Sequence, residues 1–131
     1  MTRNATEGDR PRFATEIVAG GSGPFMLMIH GMLSSRAQWV RNKQALSELC
    51  RPVLIDLWGH GVSPVPTDAS SYTLPGLIDA IEALRVDLQA EQIVLCTQSF
   101  GAGLGLHYCL QHPQRVLAYI CLLYTSPSPR D

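Results

Sequence analysis

Ser99 stands in the stretch Cys96-Thr97-Gln98-Ser99-Phe100-Gly101-Ala102-Gly103, between an apolar run and a glycine-rich segment. Ile93-Val94-Leu95-Cys96 is short, continuous and β-branched at its start, the pattern of a strand buried on both faces. Gly101, Gly103 and Gly105 follow, small enough for a helix to press closely on neighbouring strands. A serine at such a junction projects its hydroxyl from the carboxyl edge of a sheet. The N–H groups of the first helical turn point toward whatever approaches it. A nucleophile is presented beside an oxyanion hole in this way. The same position also suits a serine that does no more than cap a helix.

Two other loops carry polar residues and glycines directly after apolar runs. Phe25-Met26-Leu27-Met28-Ile29 leads into His30-Gly31-Met32-Leu33-Ser34-Ser35, and Pro52-Val53-Leu54-Ile55 leads into Asp56-Leu57-Trp58-Gly59-His60-Gly61-Val62-Ser63. Phe13 to Val18 predicts an edge strand, and Gly20-Gly21-Ser22-Gly23-Pro24 predicts a hairpin from it into the strand at Phe25. A helix is expected over 37–49, with Trp39, Val40, Leu46 and Leu49 on a patchy apolar face. A second helix begins after Thr73, its expected N-cap, with Leu77, Ile78, Ile81, Leu84 and Leu88 along one side. The helix opened by the serine runs to about Gln111, where His112-Pro113 stops it, and Val116 to Ile120 starts another strand. Strands alternating with helices predict right-handed crossovers and a parallel sheet, on which ligands gather at the strands' carboxyl ends. All three special loops lie there.

The chain has 131 residues, enough for one modest domain, with 46% hydrophobic and 16% charged residues. A formal net charge of −1 and scattered Lys and Arg provide no basic stripe for nucleic acid or an anionic membrane. No apolar run approaches the length of a membrane span and the first twelve residues are polar, so the expected setting is cytoplasmic, with residues 1–12 disordered. Cys50, Cys96, Cys109 and Cys121 show neither CxxC pairing nor metal-ligand spacing and read as reduced, structural thiols; no metal or organic cofactor is implied.

Over residues 13–120 the sequence resembles the α/β-hydrolase fold family, in particular its small soluble serine esterases, C–C-bond hydrolases and proline iminopeptidases. The resemblance is carried by His30-Gly31 after a central strand, Asp56-x-x-Gly59-His60-Gly61-x-Ser63 after the next, and the elbow at Ser99. It implies an incomplete three-layer α/β/α sandwich with a mostly parallel sheet. It also implies that Ser99 is the nucleophile, that the backbone N–H groups of Met32 and Phe100 form the oxyanion hole, and that His30, Gly31, Gln98 and Gly101 support them. Asp56 and His60 are then scaffold. The implied substrates are small esters, thioesters, amides or related acyl compounds, and Ser at the elbow argues against the aspartate nucleophile of the family's dehalogenases and epoxide hydrolases. The sequence departs from the common Gly-x-Ser-x-Gly at Thr97, where a β-branched residue is tighter than Gly.

The family's triad continues with an acid and then a His on later loops. Here only His107 and His112 follow Ser99, both in the helix that it opens; they read as a packing residue and a helix-end cation partner, respectively. Residues 121–131 resemble a translated transposase-type sequencing adapter, which makes them a non-native tail behind the amino-terminal half of a hydrolase core. The expectation is then an inactive chain from an active parent, with apolar surface left uncovered. Two readings from other classes stay open: a non-catalytic binding protein with the hydrolase fold, and an unrelated α/β domain holding phosphate at its glycine loops.

Overall fold

In the computed structural model, residues 10–122 are described; the expected disordered segment 1–12 and tail 121–131 therefore fall mostly outside the described residues. The elements run β1 (Ala14–Ile17), β2 (Phe25–Ile29), a 3₁₀ turn (Arg36–Trp39), α1 (Lys43–Leu46), β3 (Arg51–Asp56), a 3₁₀ turn (Ala69–Tyr72), α2 (Leu74–Asp87), β4 (Ile93–Gln98), α3 (Phe100–Gln111), a 3₁₀ turn (Pro113–Arg115) and β5 (Val116–Leu122). They build one five-stranded sheet of order β1-β3-β2-β4-β5, in which only β1 is antiparallel. The fold is the expected mostly parallel α/β arrangement.

The apolar strands are buried on both faces because helices and loops cover both. Leu27, Ile29, Val53, Ile55, Ile93 and Leu95 point to one side and pack with Ile78, Ile81 and Leu84 of α2 and Leu104 and Tyr108 of α3. Met26, Met28, Leu54, Val94 and Cys96 alternate to the other, against Val18, Trp39 and Cys50. α2 begins as expected, with Thr73 Oγ1 accepting the Gly76 N–H at 3.2 Å. The four cysteines are free thiols. No described helix is long and apolar enough to cross a membrane.

Two expectations are corrected. The hairpin from β1 into β2 does not form: β1 pairs with β3, and both edges of β2 are taken by the parallel strands β3 and β4. The helix over 37–49 is broken into a 3₁₀ turn and the four-residue α1, as its patchy apolar face cannot bury a continuous stripe. The strand expected to start at Val116 is β5, which continues to Leu122 and pairs Cys121 with Thr97 and Leu122 with Gln98. Among the described residues no strand pairs with the outer edge of β5, where Leu117, Ile120 and Leu122 are exposed.

From β2 the chain crosses to β3 on one side, and from β4 it crosses to β5 on the other. The adjacent carboxyl ends of β2 and β4 are therefore the point where the winding of the sheet reverses, and a crevice opens there. The loop after β2 begins at His30, and the residue after β4 is Ser99.

Candidate functional site

Ser99 is the single residue between β4 and α3, with φ 54° and ψ −117°. A non-glycine side chain at this pairing of angles costs about 1–3 kcal/mol, held only when the surroundings impose it. The Ser99 N–H donates to the Leu122 carbonyl at 3.0 Å, and its carbonyl accepts the Ala102 N–H at 2.8 Å. Ser99 stands at the N-cap position of α3, but its side chain makes no capping hydrogen bond, so the hydroxyl is not spent on the helix.

The helix behind it is pressed onto the sheet. A Cβ on Gly101 would lie 2.7 Å from the His30 carbonyl oxygen and 2.8 Å from Ile29 Cγ2, so only glycine lets α3 start this close to β2. The crowding expected from Thr97 is relieved at Gly105, whose missing Cβ leaves the space that the Thr97 methyl group fills: a Cβ there would come 2.7 Å from it. The buried Thr97 hydroxyl donates to the Ile120 carbonyl at 3.2 Å, and the Tyr119 hydroxyl donates to the Ala102 carbonyl in the first turn of α3.

The loop after β2 passes directly over this turn. A Cβ on Gly31 would meet Gln98 Oε1 at 2.7 Å and Ser99 Cβ at 3.2 Å, which brings Met32, next in the chain, beside the elbow. Gln98 Oε1 accepts from Gln38 Nε2 at 3.2 Å, and Gln38 Oε1 accepts from the Ser34 hydroxyl at 2.9 Å, tying the loop to the strand end. Sequence reading missed Ser34 and Gln38, since nothing in the pattern links positions 38 and 98. Among the described residues, neither the Met32 nor the Phe100 N–H finds an acceptor.

His30 is fully buried. Its Nε2 accepts the Leu57 N–H at 3.0 Å, which assigns the proton to Nδ1, donating to the Gly31 carbonyl at 2.6 Å. Burial lowers its pKa, the bond to the Gly31 carbonyl opposes this only in part, and nearby His60 lowers it further. His30 is thus a neutral tie between two loops. His60 is similarly occupied: its Nε2 accepts the Leu33 N–H at 3.3 Å and its Nδ1 donates to the Trp58 carbonyl at 3.0 Å.

The buried neutral His30 makes stability depend on pH. Unfolded histidine titrates near ~6.5, above the lowered folded value, so below that pH the unfolded chain binds more protons. The contribution is fully present above ~6.5 and lost as pH falls through the folded value, with a slope of up to about 1.4 kcal/mol per pH unit. Urea unfolding between pH 7.5 and 5.5 is expected to show this fall, and His30→Gln to flatten it; an unchanged slope in the variant would contradict the assignment.

Asp56 is buried and satisfied by the loop that follows it. Its Oδ1 accepts the Arg36 N–H at 2.7 Å and its Oδ2 the Val62 N–H at 3.1 Å, with the Arg36 guanidinium at 3.7 Å. Gly61, at φ 51°, turns so close to this carboxylate that a Cβ would collide with it. Ser63 Oγ donates to the Asp56 carbonyl and accepts the Ala14 N–H at 2.7 Å. The loop is thereby closed on itself and on β1.

All four histidines of the chain lie among the described residues, and none serves Ser99. His30 and His60 have both ring nitrogens engaged. His107 is exposed along α3, a correction to its expected packing role that follows from its place on the solvent side of the helix. His112 ends α3 with Nδ1 3.6 Å from Glu82 Oε2. A cavity of about 290 Å³ opens beside the elbow, lined by Met32, Leu57, Trp58, His60, Tyr72, Leu77 and Phe100.

Comparison with known proteins places this geometry in context. A family model described as alpha/beta hydrolase fold matches residues 24–129. Epoxide hydrolase 2 of Siraitia grosvenorii is 32% identical over 103 residues, covering 78% of this chain and 33% of that protein. Among solved structures, an epoxide hydrolase from Vigna radiata superposes with TM-score 0.74 at 29% identity, covering 92% of this chain and 44% of that one. A marine microorganism esterase shares the fold at TM-score 0.78 and 20% identity, over 92% of this chain and 47% of the other. The chain thus spans about a third of the length of the curated relative.

Proposed function

The chain belongs to the α/β-hydrolase fold family, and from that premise we propose that it carries the nucleophile and oxyanion hole of a serine hydrolase acting on small acyl compounds. Ser99 Oγ attacks the carbonyl carbon of an ester, thioester or amide. The developing oxyanion is held by the Met32 and Phe100 N–H groups, each worth about 3 kcal/mol in the transition state. The leaving group departs with a proton, and water then hydrolyses the acyl-serine to restore the hydroxyl. The observation that carries this reading is the conformation of Ser99: a strained, uncapped serine at the reversal point of the sheet, beside two N–H groups without acceptors among the described residues.

Several relatives are named epoxide hydrolases. A serine at the elbow favours acyl substrates here instead. Attack of a serine hydroxyl on an epoxide leaves an ether, which water does not cleave, whereas attack on an ester leaves an ester, which it does.

Among the described residues no histidine or carboxylate is placed to serve Ser99 as a base. In this chain alone the reading therefore implies a nucleophile without turnover. The test is the site and type of covalent modification. An activated fluorophosphonate is expected to modify Ser99, and styrene oxide to yield no diol; diol formation dependent on Ser99 would overturn the acyl reading.

A further inference from the structure

The cavity beside the elbow has two of its walls in common with the oxyanion hole, since Met32 and Phe100 contribute both the N–H groups and the side chains. Its remaining walls are Leu57, Trp58, His60, Tyr72 and Leu77. The polar side-chain atoms of Trp58 and His60 are already engaged. Trp58 Nε1 donates to the Pro11 carbonyl at 3.2 Å, leaving the indole to present apolar surface. His60 has one nitrogen on Leu33 and the other on Trp58, and the Leu57 N–H is held by His30. No Lys, Arg, Asp or Glu lines the space, and the one remaining polar side chain, Tyr72, is half-exposed at the rim.

Resting on the reading of Ser99 as the nucleophile, we propose that this cavity receives the substrate group next to the scissile carbonyl, and that it selects a compact, uncharged, aromatic or branched apolar group of about benzyl size. At about 290 Å³ it holds the liquid volume of about ten waters, which suits a benzyl group and is short for a long acyl chain. Trp58, Tyr72 and Phe100 supply ring surfaces for an aromatic group. A carboxylate or hydroxyl carried past the Met32 and Phe100 N–H groups, against Leu57, Trp58 and Leu77, would lose its water and meet apolar surface, so selection works by exclusion as much as by attraction.

Binding tests this without requiring catalysis. The full chain, labelled with ¹⁵N, is titrated with methyl phenylacetate, methyl 4-hydroxyphenylacetate and methyl 4-carboxyphenylacetate. Methyl phenylacetate is expected to shift the Trp58 indole N–H and the Met32 and Phe100 amides. The hydroxylated probe is expected to bind at least about tenfold more weakly and the carboxylated one about a hundredfold or more. Phe100→Ala is expected to weaken binding of the unsubstituted probe. Equal affinity for the three probes, or shifts centred on Trp39 across the sheet, would overturn the proposal. Failure of the fluorophosphonate to modify Ser99 while the probe still binds would remove the nucleophile reading alone.

Discussion

Steady turnover of 4-nitrophenyl acetate by this chain, beyond one equivalent of nitrophenol, is expected to be indistinguishable from that of its Ser99→Ala variant. A serine hydroxyl is a weak nucleophile at neutral pH, and a positioned base contributes about 10²–10⁴-fold by itself. When the serine and base act as a unit, losing either costs on the order of 10⁶ in kcat. His30 and His60 are committed to loop carbonyls and amides, His107 faces solvent, and His112 sits at the far end of α3 beside Glu82. Asp56 is enclosed by Arg36 and Val62. On the proposed reading the Met32 and Phe100 N–H groups stabilise charge once it develops, but they take no proton from Ser99. Sustained, Ser99-dependent release of nitrophenol over many equivalents would show that a base acts here after all.

Gly101→Ala is expected to lower stability by about 1–3 kcal/mol, with a drop in Tm on the order of 5–10 °C, while Ser99→Gly raises it. The alanine methyl group would meet the carbonyl oxygens of His30 and Ile29 at 2.7 and 2.9 Å, and these belong to the central strand and its exit. Backbone at the middle of a sheet cannot step aside as a side-chain tip can. Either α3 lifts from β2, or the loop carrying Met32 shifts with His30. At Ser99 the sign reverses: glycine adopts φ 54°, ψ −117° without a Cβ clash, releasing about 1–3 kcal/mol of strain against about 0.5–1 kcal/mol of added chain entropy in the unfolded state. Thermal unfolding of the two variants checks both. A neutral Gly101→Ala would mean that α3 does not rest on β2 as described, and a destabilised Ser99→Gly would mean that the turn is not strained.

The central strands were legible because continuous apolar runs such as Phe25–Ile29 have few alternatives to a strand covered on both faces. The three loops were legible because they follow those runs, and the sheet order then brings two of them to one crevice. Pairing partners were not. The glycines at 20–23 mark a change of direction, but local turn chemistry cannot show that β2 already has a neighbour on each side, so β1 had to take the outer edge of β3. Compensation across distance was equally hidden. Thr97 reads as an awkward residue at a tight turn until Gly105 is seen to leave room for its methyl group. The link from Ser34 through Gln38 to Gln98 joins residues 60 positions apart, which no periodicity records. The cavity beside the elbow is drawn from four separate segments, and its apolar lining depends on bonds that engage Trp58 and His60 elsewhere.

The most direct measurement is peptide mapping by mass spectrometry after exposure of the chain to an activated fluorophosphonate, with and without added imidazole as a diffusible base. The expected result is a single phosphonyl adduct, on Ser99, formed faster with imidazole and absent from Ser99→Ala. An adduct on another residue, or one that forms equally in Ser99→Ala, would contradict the assignment of Ser99 as the nucleophile.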